Sequence, residues 1–198
     1  MIDRYTRPQM KTVWSTRRKL ENWLRIEILV CEYLAGTGEI PKTSLARIRK
    51  KARVDPRRMD AIEKKVKHDV IAFLTMISEK VGPDARFIHL GLTSSDVLDT
   101  GLSIQLKEAS GILLDDLVQL KEIFRKRAFE FKNTLMVGRS HGIHGEPITF
   151  GFKLALWYAE MDRNIDRLQA AREAVRFGKI SGAMGTFAHL SPEVEEYV

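Results

Sequence analysis

The chain has 198 residues, 44% hydrophobic and 30% charged, which predicts a folded core and excludes a disordered chain. Its 33 Lys and Arg against 26 Asp and Glu leave a net charge of +7, suited to an anionic partner such as nucleic acid, acidic lipid or a phosphorylated small molecule. A single cysteine excludes an internal disulfide, and no uninterrupted apolar stretch could span a bilayer, so a cytoplasmic protein without a membrane partner is expected.

MIDRYTRPQM, at the N-terminus, has no apolar signal core. Trp23, Ile26, Val30, Tyr33 and Leu34 then recur at helical spacing, with Cys31 among them as a small hydrophobe, until Gly36 and Gly38 stop the segment. A short basic helix is expected over 42–53. Lys42, Arg47, Arg49, Lys50, Lys51, Arg53, Arg57 and Arg58 stand against the single acid Asp55, with no interleaved aromatic residue. A solvated helical face is preferred there over a nucleic-acid surface.

Asp55-Pro56 supplies an N-cap and a first-turn proline for a segment that Gly82-Pro83 ends. Its stripe is Met59, Ile62, Val66, Phe73, Ile77 and Val81. Ser94 or Ser95 can cap the next helix, with Asp96 at the positive end of its dipole. Leu102, Leu106, Leu113, Leu117, Leu120 and Phe124 carry that helix to about residue 131. Ile148 or Phe150 opens a further stripe through Leu154, Trp157, Met161, Ile165, Leu168 and Val175, closed by Gly178.

No run alternates with a two-residue period between turn signals, so no substantial sheet is expected. The expected fold is all-α: a small N-terminal helical domain over 1–92, then the first part of a central long-helix bundle over 93–198. Two helices of seven or more turns far exceed the mean of about 11–12 residues and point to an extended bundle. SPEVEEYV, at 191–198, reads as the start of a helix, with serine cap, proline and first-turn acids. Two amphipathic helices cannot cover each other's stripes on both sides. The chain is therefore expected to be the front portion of a longer protein and to associate.

Three polar stretches with histidine interrupt the helical pattern: KVKHDV (65–70), HLGLTSSD (89–96) and GRSHGIHGEPITFG (138–151). A fourth, GKISGAMGT (178–186), offers Lys179 and Ser181 but lacks phosphate-loop spacing. Taken singly, each has a plain structural explanation; TSSD, for instance, is an ordinary capping box. His141 and His144 lack the four-residue step and the glutamate of a zinc-protease helix, and no cysteines add ligands, so no metal is expected. Acid–base work remains, because imidazole titrates near neutrality. Glycines beside His141 would let backbone approach a substrate, and hydroxyls at Thr93, Ser94, Ser95 and Ser140 could bind a carboxylate without adding charge.

RY at 4–5, KHDV at 67–70, HLGLTSSDVLDT at 89–100, GRSHGIHGEPITFG and GKISGAMGT together resemble the adenylosuccinate lyases, in order and spacing, along essentially the whole chain. That family belongs to the fumarase/aspartase superfamily, and the chain corresponds to less than half of its usual length. The resemblance implies an all-α subunit of a homotetramer with shared active sites, no cofactor, and elimination of fumarate from a succinyl group on the nitrogen of a nucleotide. It implies that His141 is the general acid, that Arg4 and Tyr5 hold the phosphate and its surroundings, and that Lys67, His68 and Asp69 line the pocket. Thr93 and Ser94 would bond a succinyl carboxylate, and His89 would lie on the phosphate side.

Three departures accompany it. Lys67 stands where arginine is common, which loses the planar fork. Ser140 stands where threonine is usual. The family's flexible loop, with its catalytic-base serine, lies beyond Val198, so the 198-residue chain alone is expected to be inactive. The competing expectations are argininosuccinate lyase or a related lactonising enzyme, a non-catalytic helical scaffold, and a nucleic-acid binder using the basic run.

Overall fold

The computed structural model describes residues 2–198, which are mostly helical, with one hairpin and irregular connections, and form two compact units. The first comprises Met1–Leu106 with Arg176–Val198, the second Lys107–Val175.

In the first unit, a 3-10 turn (Asp3–Tyr5) and α1 (Pro8–Val13) lead into α2 (Thr16–Thr37). Ser15 caps α2 by accepting the Arg18 N–H at 3.1 Å. Trp23, Ile26, Val30 and Leu34 are buried, as the helical spacing predicts, with Leu20 beside them, while Tyr33 is half-buried. They join Phe73, Met76 and Ile77 in one core, where Trp23 meets Phe73 edge-on with centroids 5.5 Å apart. A side chain of this size contributes about 1.5–3 kcal/mol when fully buried. Gly101, near the start of α6 (Ser94–Glu130), lies so close to the Trp23 ring that a Cβ would sit 2.8 Å from Cδ1. Only glycine lets the two helices approach this closely.

The basic run forms α3 (Lys42–Lys51) and the start of α4 (Pro56–Val66). Several of its cations are paired. Arg47 forks onto Asp84 at 2.5 and 2.9 Å, Arg49 Nε donates to Glu32 at 3.0 Å, and Arg58 Nε donates to Glu79 at 2.8 Å. The hydrogen bonds from Arg47, and a further one from Ser44, hold the Asp84 carboxyl well below its usual range. These arginines form ion-paired helix faces of the kind expected from a solvated surface.

The segment expected to run unbroken from Asp55 to Val81 is two helices, α4 and α5 (Asp69–Val81). Lys67 leaves α4 in the left-handed region (φ 54°, ψ 31°), and His68 is extended (φ −148°, ψ 121°). The apolar stripe continues across the joint, which is why periodicity alone missed it. After a 3-10 turn (Pro83–Phe87), α6 runs for 37 residues, close to the span expected. It starts at Ser94, with the Thr93 N–H donating to Asp96 at 2.9 Å, so the capping residue is Thr93, one position before the expected serines.

In the second unit, the 138–151 stretch is a hairpin of β1 (Leu135–Ser140) and β2 (Ile143–Thr149), antiparallel with a bulge between Val137 and Arg139. His141 and Gly142 form the two-residue turn, both with positive φ (53° and 72°), as type I′ geometry requires. The strands are largely exposed and carry glycine and proline, so they lack the alternation that marks a half-buried strand. α7 (Phe150–Val175) returns alongside α6; Phe124 and Trp157 pack at 5.5 Å between centroids, and Lys121 pairs with Asp162. Among the described residues, no helix is long and apolar enough to cross a membrane.

Candidate active site

Lys67, His68 and Asp69 sit together at the joint of α4 and α5. His68 is the N-cap of α5, its Nδ1 facing the Ile71 N–H at 3.4 Å. A ring nitrogen that accepts there carries no hydrogen, so the neutral ring is the Nε2–H tautomer. Asp69 accepts the Val70 N–H at 2.7 Å and stands 3.6 Å from His68 Nδ1. Lys67 and His68 are exposed, so the joint presents a cation and an imidazole N–H to solvent.

His89, Thr93 and Ser94 lie on the connection into α6. His89 has φ 66°, and both oxygens of the fully buried Glu27 serve it: Oε2 accepts its backbone N–H, and Oε1 faces its Nδ1, each at 2.7 Å. Thr93 and Ser94 are half-buried at the positive end of a long helix, where backbone N–H groups favour an anionic oxygen.

That helix start is clamped from a distant part of the sequence. Asp96, fully buried, accepts Lys179 Nζ at 2.7 Å and the Ser181 and Gly182 N–H groups at 3.2 Å each. Lys179 Nζ also donates to the Gly182 carbonyl at 2.6 Å and to Ser95 Oγ at 3.3 Å. The GKISGAMGT stretch is thereby fixed against TSSD, and α8 (Pro192–Tyr197) holds it further as Glu195 accepts the Ile180 N–H at 2.7 Å.

Arg4 and Tyr5 form the N-terminal 3-10 turn, exposed, with the guanidinium 4.8 Å from the ring centroid. His141, in the second unit, is exposed at the hairpin tip, while His144 stands opposite Arg139 in the ladder. Among the described residues, no group of three or more His, Cys, Asp or Glu could hold a metal ion.

Four described residues other than glycine have positive φ, and three of them are Lys67, His89 and His141. Each such conformation costs on the order of 1–3 kcal/mol and persists only where surrounding structure imposes it. One polar residue, Glu27, escaped the sequence reading, and another, Asp96, was read only in part. Glu27 gave a visible signal, a carboxylate on the same helical stripe as Trp23, Val30 and Leu34. Asp96 was seen only as a dipole partner, because its link to Lys179 spans 83 positions and has no local signature.

Residues 3–198 match the family described as lyase. The chain is 53% identical over 195 residues to an adenylosuccinate lyase of Synechocystis sp., covering 98% of this chain and 45% of that protein. It is 48% identical over 198 residues to an adenylosuccinate lyase of Bacillus subtilis, covering all of this chain and 46% of that one. The 3-carboxy-cis,cis-muconate lactonizing enzyme from Pseudomonas putida shares its fold, with TM-score 0.87 and 28% identity over 98% of this chain and 45% of that one. The chain thus spans about half the length of the curated relatives it matches. With all but its first two residues inside that match, the chain belongs to the lyase family.

Proposed function

We propose that the full-length protein is an adenylosuccinate lyase, which eliminates fumarate from adenylosuccinate to give AMP and acts likewise on the succinylated aminoimidazole carboxamide ribotide. The likeness to relatives of that name supports the substrate. The observation that carries the reading for this chain is the left-handed backbone at Lys67, His89 and His141, strain held at the residues nominated for chemistry.

A base removes the proton beside one succinyl carboxylate, and the resulting carbanion spreads its charge into that carboxylate. The C–N bond then breaks, its electrons pass to the leaving nitrogen, and His141 donates the proton that this nitrogen takes up. Thr93, Ser94 and the α6 amides face the carboxylate, where fixed donors stabilise the transition state more than the ground state. Lys67, His68 and Asp69 line the pocket, and Arg4, Tyr5 and His89 serve the phosphate. Proton transfer and charge stabilisation suffice, so the scheme contains no metal or cofactor.

The base belongs to the part of the protein beyond these 198 residues, and the 198-residue chain by itself is inactive. The full-length protein is a cytoplasmic homotetramer with active sites shared between subunits. Its organisation divides at residues 92 and 93, where the bundle segment begins. Fumarate release by the full-length protein tests the reading: turnover of adenylosuccinate and not of argininosuccinate supports it, and the reverse preference overturns it.

A further inference from the structure

Glu27 is a carboxylate with no exposed surface, on a helix face otherwise built from Leu20, Trp23, Ile26, Val30 and Leu34. Taking a carboxylate out of water is costly unless donors replace the lost solvent. Here both oxygens take their donors from one residue, His89, at 2.7 Å each. The backbone bond holds His89 in the left-handed region, and the ring bond fixes the imidazole.

Because an ionised carboxylate only accepts, the ring must carry its hydrogen on Nδ1, the opposite tautomer to that of His68. Nε2 is then the nitrogen turned away from Glu27. The His89 side chain is 19% exposed while Glu27 is 0% exposed, so the ring forms the wet end of a buried charge. A proton taken up at Nε2 would lie between the buried carboxylate and any anion bound outside, as a charge-assisted donor.

We propose that Glu27 is a positioning residue, which fixes the His89 backbone and holds the ring hydrogen on Nδ1, so that Nε2, once protonated, donates to an anionic oxygen of the substrate, phosphate or carboxylate. The proposal rests on the lyase reading for its substrate, and it concerns how that site is held.

The test is Glu27→Gln in the full-length protein, compared with His89→Asn and the double variant. Gln keeps the volume but cannot accept both N–H groups. Loss of one charge-assisted bond predicts a KM for adenylosuccinate raised about tenfold, with kcat little changed. In the His89→Asn background the same substitution is expected to add nothing; an equal added loss there, or a fall in kcat at unchanged KM, overturns the proposal. Succinyladenosine, which lacks the phosphate, separates the two anions: an effect lost with it assigns Nε2 to phosphate, and an effect retained assigns it to carboxylate.

Ring 15N shifts of the histidine-labelled full-length protein give a readout independent of turnover. Hydrogen on His89 Nδ1 in the wild type, lost in Glu27→Gln, is the expected result. A wild-type ring with bare Nδ1 overturns the proposal, and this arm decides alone if Glu27→Gln does not fold. Absence of fumarate release by the wild-type protein would instead defeat the lyase reading and leave the nitrogen shifts as the measure of Glu27.

Discussion

Lys67 combines a charge with a backbone conformation that its side chain disfavours. Glycine adopts that conformation without strain, so Lys67→Gly is expected to leave the fold as stable as before, or more stable by about 1 kcal/mol, while removing an ammonium from the proposed pocket. Thermal melting and fumarate release, measured together in the full-length protein, check this; a lower melting point would show that Lys67 serves the fold. Cys31 gives a second residue-scale expectation. Burial first, then the charges of Glu27 and Glu32, push its thiol from 9.0 up to about 12. The native protein should therefore react with iodoacetamide at pH 8 at least about a hundredfold more slowly than the unfolded chain. Because the folded value is the raised one, the stability tied to the neutral thiol is complete below pH 9 and is lost as pH climbs towards 12. At this scale the residues nominated for the site were legible, since glycine-framed histidines and hydroxyl clusters are visible in one dimension. Glu27 was harder to see, because a carboxylate on an apolar stripe looks like an ordinary helix position until its partner 62 residues away is known.

The start of α6 and the GKISGAMGT stretch behave as one element tied by Asp96. Asp96→Asn keeps the shape but removes the charge that faces Lys179 and two backbone N–H groups. Breaking such a pair costs about 3–5 kcal/mol when both partners are buried, and Lys179 is 35% exposed, so the low end, about 3 kcal/mol, is expected. Denaturant unfolding of the full-length variant reads this directly, and a loss no larger than that of a surface ion pair would contradict the clamp. The long helices were legible because leucine and aromatic stripes repeat over many turns. The hairpin was not: its strands are exposed and interrupted, and its turn is His141-Gly142 where Asn-Gly is the familiar signal. The joint at Lys67 and His68 was hidden because an apolar stripe runs through it, although His68-Asp69 carries the chemistry of a helix start.

The second unit alone leaves Leu113, Val118, Ile123, Phe129, Phe152 and Leu156 between 46% and 68% exposed along α6 and α7. Apolar side chains in such number call for cover, which further copies would supply in the proposed tetramer. Sedimentation of the full-length protein is expected to give a tetramer, and Phe152→Glu to weaken it; a monomer of unchanged activity would contradict shared sites. The proposed elimination rests on one proton, the one assigned to His141. Asparagine tolerates the left-handed backbone that His141 adopts and has no titrating group near neutrality. The decisive measurement is therefore kcat for adenylosuccinate cleavage by full-length His141→Asn. The expected result is a fall of about 10²–10⁴-fold with the assembly intact. Undiminished fumarate release would contradict it.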